Sequence, residues 1–135
     1  FSGTQLPAIL MIGGEFGTPT DCIRVGNATS TLDAYAAAHD GYAPIAVFAD
    51  ATGGFAVDTA CVDGPRGNAA RHLTDEVIPE IGELFGLGGP PKWGVAGFSS
   101  GGTCAVDLAV MHPEIFSAFV DIGGDIGPNA GTREQ

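Results

Sequence analysis

The sequence predicts an α/β fold, a mostly parallel sheet with helices on both faces in a three-layer sandwich. Three observations predict it. Four short, continuous apolar runs alternate with helix-like segments in the order β-α-β-α-β-α-β, which a parallel sheet with covering helices satisfies. The 22 glycines and 44% hydrophobic residues suit close helix–sheet contacts, and 135 residues suffice for one core and not two. Neither an internal repeat nor an interdomain linker interrupts the chain, so residues 1–135 read as one domain.

Residues 6–12 (LPAILMI) are apolar throughout and end at Gly13-Gly14, which fits a buried strand better than a helix. A loop containing Pro19, Asp21 and Gly26 follows. Residues 30–39 (STLDAYAAAH) have helix-forming composition, a Ser/Thr start, Asp33 three residues after Ser30, and Gly41 as a stop. Residues 44–49 (PIAVFA) form a second buried strand. The polar stretch 50–67 is a long loop, of the kind that is usually functional or crosslinked. Over residues 68–85, Leu73, Val77, Ile81 and Leu84 fall on one helical stripe, with Pro79 expected to kink the helix and the following Gly/Pro run to end it. Residues 92–97 (KWGVAG) are a third strand, 100–111 a helix closed by His112-Pro113, and 116–122 (FSAFVDI) a fourth strand.

Composition excludes several function classes. Sixteen acidic residues against five Lys plus Arg give a net charge of −11, which repels phosphate backbones and anionic headgroups, so nucleic acid is not an expected partner. No apolar run is long enough to span a membrane. Phe1 is not a natural start, and we read the chain as a mature or excised piece of something longer. Cys22, Cys61 and Cys104 lack ligand spacing, so no metal is expected, and no cofactor either. Cys22 and Cys61 stand in polar, loop-like segments and Cys104 in an apolar helix. A Cys22–Cys61 disulfide with Cys104 buried and reduced is the preferred arrangement, and three free thiols the alternative. The disulfide would imply an extracytoplasmic location.

One motif carries chemistry. Gly97-Phe98-Ser99-Ser100-Gly101 matches G-x-S-x-G between a predicted strand and a predicted helix, the context a nucleophile elbow requires. At such a turn the serine hydroxyl stands above the sheet edge. The residues two before and two after it crowd together, which glycine alone allows. Ser99 is therefore the expected nucleophile. Taking Ser100 instead would put Phe98 where a small residue is needed. The Ser100 N–H, at the helix N-terminus, would be one oxyanion donor. The loop Gly13-Gly14-Glu15-Phe16-Gly17 would supply the second, with the Glu15 N–H the first choice and Phe16 the other.

The remaining titratable groups are weaker candidates. His39 ends a helix, His72 begins one, and His112 lies at the far end of the elbow helix, so each is a poor base for Ser99. Asp121 and Asp125 follow the last strand, where a capping role outweighs that of a catalytic acid. Asp50, Phe55 and Asp58 stand in the loop after the second strand, where sheets of this type face their ligands, and read either as substrate contacts or as turn and cap residues. The acid and the histidine are expected downstream, because in this fold they follow the serine.

Three runs, KWGVAGFSSGGTCAVDLAVMHPEIFSAFV, PIAVFADATGGFAVD and HLTDEVIPEI, resemble the esterase-D/antigen 85 type of α/β-hydrolase, in the same order and over nearly the whole chain. The resemblance implies an α/β-hydrolase-type sandwich, Ser99 as nucleophile, and Ser100 and Glu15 as backbone donors. It also implies an esterase or acyltransferase acting on ester or glycolipid-type substrates, secreted or in the cell envelope. The composition looks like that of a high-G+C actinobacterial protein. The oxyanion loop departs from the family's HGG-like form, and Ser100 stands where methionine is common. A non-catalytic binding module of the same fold is the competing reading. Association of two copies through an exposed sheet edge is a further expectation.

Overall fold

A computed structural model describes residues 6–54, 57–87 and 93–127. Four parallel strands form the main sheet, in the order β2 (Ile45–Ala49), β1 (Ala8–Ile12), β5 (Trp93–Phe98), β6 (Phe116–Ile122). Strands β1 and β5 are central, so both their faces need apolar side chains, and the continuous runs AILMI and WGVAGF supply them. Their inward residues Ala8, Leu10, Ile12, Trp93 and Val95 are buried with Leu73, Ile78, Ala105, Leu108 and Phe116 in one core. The first strand begins two residues later than the sequence suggests. Pro7 has no N–H to give the ladder, although its carbonyl accepts the Ile45 N–H at 2.9 Å.

Helix α1 (Asp21–Arg24) is a short turn within the expected loop. Helix α2 (Ala28–Ala38) starts two residues before the expected Ser30, because Asn27 takes a left-handed conformation (φ 53°) that asparagine tolerates. Helix α2 lies in the connection from β1 to β2 and packs against α1. The helical stretch beyond the loop is continuous from α3 (Ala69–Arg71) through a π-turn (His72–Val77) into α4 (Ile78–Phe85). The π-turn stands just ahead of Pro79, where widening the helix relieves the clash between the proline ring and the carbonyl four residues before it. Gly86, left-handed at φ 61°, ends the helix. Helix α5 (Ser100–Met111) covers β5 and β6, and both it and β6 have the bounds expected from sequence.

The 50–67 loop holds a two-residue hairpin, β3 (Asp63–Gly64) with β4 (Gly67–Asn68). It is tied down by a crosslink, but not the expected one. Cys61 is bonded to Cys104 across 43 residues, and Cys22 is the free thiol. The correction is one of burial. Despite its polar neighbours Cys61 is 1% exposed, and the buried side of α5 presents Cys104 to it.

One polar group in α5 opposes folding at neutral pH. The Oδ2 of Asp107 is inaccessible to solvent and finds no hydrogen-bond partner among the described residues. Burial pushes this carboxyl above its ordinary pKa. A raised folded pKa gives stability at pH values below the unfolded pKa, and that stability is lost as pH rises through the folded value. Asp107→Asn should therefore raise the melting temperature at pH 7 and bring no gain at pH 3, as measured by thermal denaturation at both.

Candidate active site

Ser99 occupies the single residue between β5 and α5, with φ 57° and ψ −124°. This backbone is costly for a side-chain-bearing residue and persists only where its surroundings enforce it. Ser99 N–H donates to the Ile122 carbonyl at 2.9 Å, while its own carbonyl accepts from Gly102 and Thr103 N–H at 2.8 and 3.2 Å. The flanking glycines are obligatory. A Cβ on Gly97 would run into the Gly101 carbonyl, and one on Gly101 into the carbonyls of Ile12 and Gly13. Ser99 is partly exposed, and Ser100 opens the twelve-residue helix, where its N–H has no intrahelical partner.

The loop after β1 reaches the serine. Gly14 approaches so closely that a Cβ there would lie 3.1 Å from the Ser99 Cβ and 3.2 Å from the Phe98 carbonyl. Gly17 N–H donates to the Gly14 carbonyl at 3.1 Å, closing a turn with Glu15 and Phe16 at its centre. Both expected second donors thus sit one and two residues from the contact with Ser99. Phe16 is left-handed (φ 64°) and exposed, a conformation that favours glycine at this turn position. Asp21 fixes the far side of the turn, its Oδ2 accepting the Thr18 N–H at 2.6 Å. Phe16→Gly should relieve the strain and stabilise the chain by about 1 kcal/mol in denaturant titration.

Asp50 lines a depression with Gly13, Gly14 and Thr52. Its Oδ1 accepts from Thr52 N–H (2.8 Å) and Thr52 Oγ1 (2.7 Å), so the side chain holds its own turn. Burial pulls its pKa up, but the Thr52 and Gly53 hydrogen bonds and nearby His72 outweigh that and hold it below the ordinary carboxylate value. Asp58 makes a similar local bond, accepting the Ala60 N–H at 2.8 Å. Phe55 lies outside the described residues. Asp121 Oδ1 accepts the Gly124 N–H at 2.8 Å, and Thr103 Oγ1 accepts the Asp125 N–H at 2.8 Å, which straps the segment after β6 onto the elbow helix. Sequence reading missed this strap and the buried Thr59, because neither contact is local in sequence.

Each histidine is engaged elsewhere. His39 Nδ1 lies 2.7 Å from the Tyr35 carbonyl, His72 Nδ1 2.6 Å from Glu76, and His112 Nδ1 3.1 Å from Glu114. Among the described residues no cluster of His, Cys, Asp or Glu could hold a metal ion, and no helix is long and apolar enough to cross a membrane.

No family model matches the chain. An uncharacterized protein of Corynebacterium glutamicum is 36% identical over 132 residues, which are 97% of this chain and 31% of that protein. Among solved structures, a ferulic acid esterase superposes with a TM-score of 0.77 at 18% identity, covering 92% of this chain and 48% of that one. The Mycobacterium tuberculosis protein MPT51 (FbpC1) superposes with a TM-score of 0.57 at 21% identity, covering 84% and 40%. The chain thus spans about a third of the curated relative and less than half of either structure. The fold is that of an α/β-hydrolase.

Proposed function

We propose that this chain is the nucleophile-bearing part of a serine esterase or acyltransferase, with Ser99 forming an acyl-enzyme. The backbone of Ser99 supports the reading most strongly, since a strained serine between strand and helix, flanked by obligatory glycines, has no evident packing purpose. A histidine and an acid from elsewhere in a longer protein complete the site. The histidine takes the Ser99 proton as Oγ attacks the ester carbonyl, and the N–H groups of Ser100 and Glu15 hold the oxyanion. The protonated histidine then gives its proton to the departing alcohol. Water or a sugar hydroxyl finally takes the acyl group from Ser99. The kinship in fold with a ferulic acid esterase favours ester substrates, and the buried disulfide favours an extracytoplasmic location.

The test is a burst experiment on the full-length protein with a p-nitrophenyl acyl ester. One equivalent of p-nitrophenol per protein should appear before steady turnover, and an added sugar acceptor divides the acyl group between transfer and hydrolysis. Binding of an envelope sugar with no burst and no turnover would favour the non-catalytic reading.

A further inference from the structure

The loop after β2 and the elbow helix are joined at one covalent point. Cys104 lies one turn into α5, five residues beyond Ser99, and its partner Cys61 is the inner end of a chain of bonds leading to the crevice. Cys61 N–H donates to Thr59 Oγ1 at 3.2 Å, and Thr59 Oγ1 donates to the Ala51 carbonyl at 2.8 Å. Thr59 and Ala51 are both buried. Ala51 and Thr52 line the depression together with Gly13 and Gly14, and Gly14 packs on Ser99. The loop reaches the bridge through two successive left-handed residues, Ala60 (φ 49°) and Cys61 (φ 51°), neither of them glycine. Such a backbone is unfavourable for a side-chain-bearing residue and persists only where the surroundings enforce it.

We propose that the Cys61–Cys104 bridge, acting through Thr59, is a positioning device for substrate. It fixes residues 50–54 as a crevice wall at a set distance from the nucleophile. The sulfurs take no part in the chemistry. The substrate role rests on Ser99 being the nucleophile, whereas the wall's dependence on the bridge can be read without any catalysis.

The experiment measures amide hydrogen exchange and ester kinetics in the full-length protein. It compares wild type, Cys61→Ala, Thr59→Val, and wild type reduced by a dithiol, which converts the bridge to two thiols and itself to a cyclic disulfide. Losing the bridge should speed exchange at residues 51–54 and 57–62 about tenfold or more and leave residues 100–105 within about twofold. KM for the ester should rise about tenfold with kcat within about twofold, and Thr59→Val should move KM the same way by less. If Cys61→Ala fails to fold, the reduced wild type gives the same readout. Unchanged exchange at 51–54, or an equal rise throughout α5, would overturn the proposal, the latter making the bridge a general staple. Loop exchange that follows the bridge in a protein with no esterase activity would overturn the serine reading and the substrate role, leaving only the anchor.

Discussion

Ser99→Ala in the full-length protein should lower kcat for ester turnover by roughly four orders of magnitude or more, with KM little changed. The size follows from the division of labour at the elbow. In the proposed mechanism Ser99 supplies the attacking oxygen, for which alanine has no substitute, whereas the hydroxyl adds little to ground-state binding. The neighbouring serine is the control. Ser100 is assigned only its backbone N–H, so Ser100→Ala should stay within about threefold of wild type. A comparable loss in both variants would mean that the turn tolerates no change, and a loss in Ser100→Ala alone would move the nucleophile by one residue. Steady-state kinetics on both proteins, with circular dichroism to verify folding, decides between these.

Gly97→Ala should cost about 4 kcal/mol or more, enough to leave the domain largely unfolded at moderate denaturant. The added methyl would meet the Gly101 carbonyl and the Gly102 nitrogen. Both are backbone atoms at the start of α5, which cannot give way without opening the elbow. Gly94 on the same strand is the contrasting case. A Cβ there would meet the Ala118 carbonyl at 3.7 Å and Ile9 Cγ1 at 3.8 Å, which is ordinary contact. Gly94→Ala should therefore change stability by less than about 1 kcal/mol. Chemical denaturation of the pair reads the elbow's steric demand with no substrate present.

The elbow was legible in the sequence because its requirements are local. Small residues two before and two after a serine, between an apolar run and a helix, encode the turn with few alternatives, and β6 and α5 fell where their patterns placed them. Asp50 and Asp58 were legible only as alternatives, and their bonds to Thr52 and Ala60 support turn duty. The cysteine pairing was not legible. Neighbour polarity suggested that Cys61 was exposed, yet the crossover from β2 to β5 folds it beneath the loop and onto α5. That contact depends on topology, to which composition is blind. The π-turn was hidden for a related reason, since periodicity registers a helix and Pro79 registers a break, but the accommodation between them is made in three dimensions. The left-handed Phe16 and Ala60 carry no sequence signal, because surrounding contacts enforce conformations their side chains disfavour.

On the proposed reading, the Ser99 hydroxyl is poised for acyl transfer once a base is supplied. Treating the full-length protein with a fluorophosphonate and mapping the adduct by peptide mass spectrometry tests it most directly. One phosphonyl group should form, on Ser99, absent from Ser99→Ala and forming far more slowly on residues 1–135 alone. An adduct on another serine, none at all, or rapid stoichiometric labelling of the isolated 135 residues would contradict it.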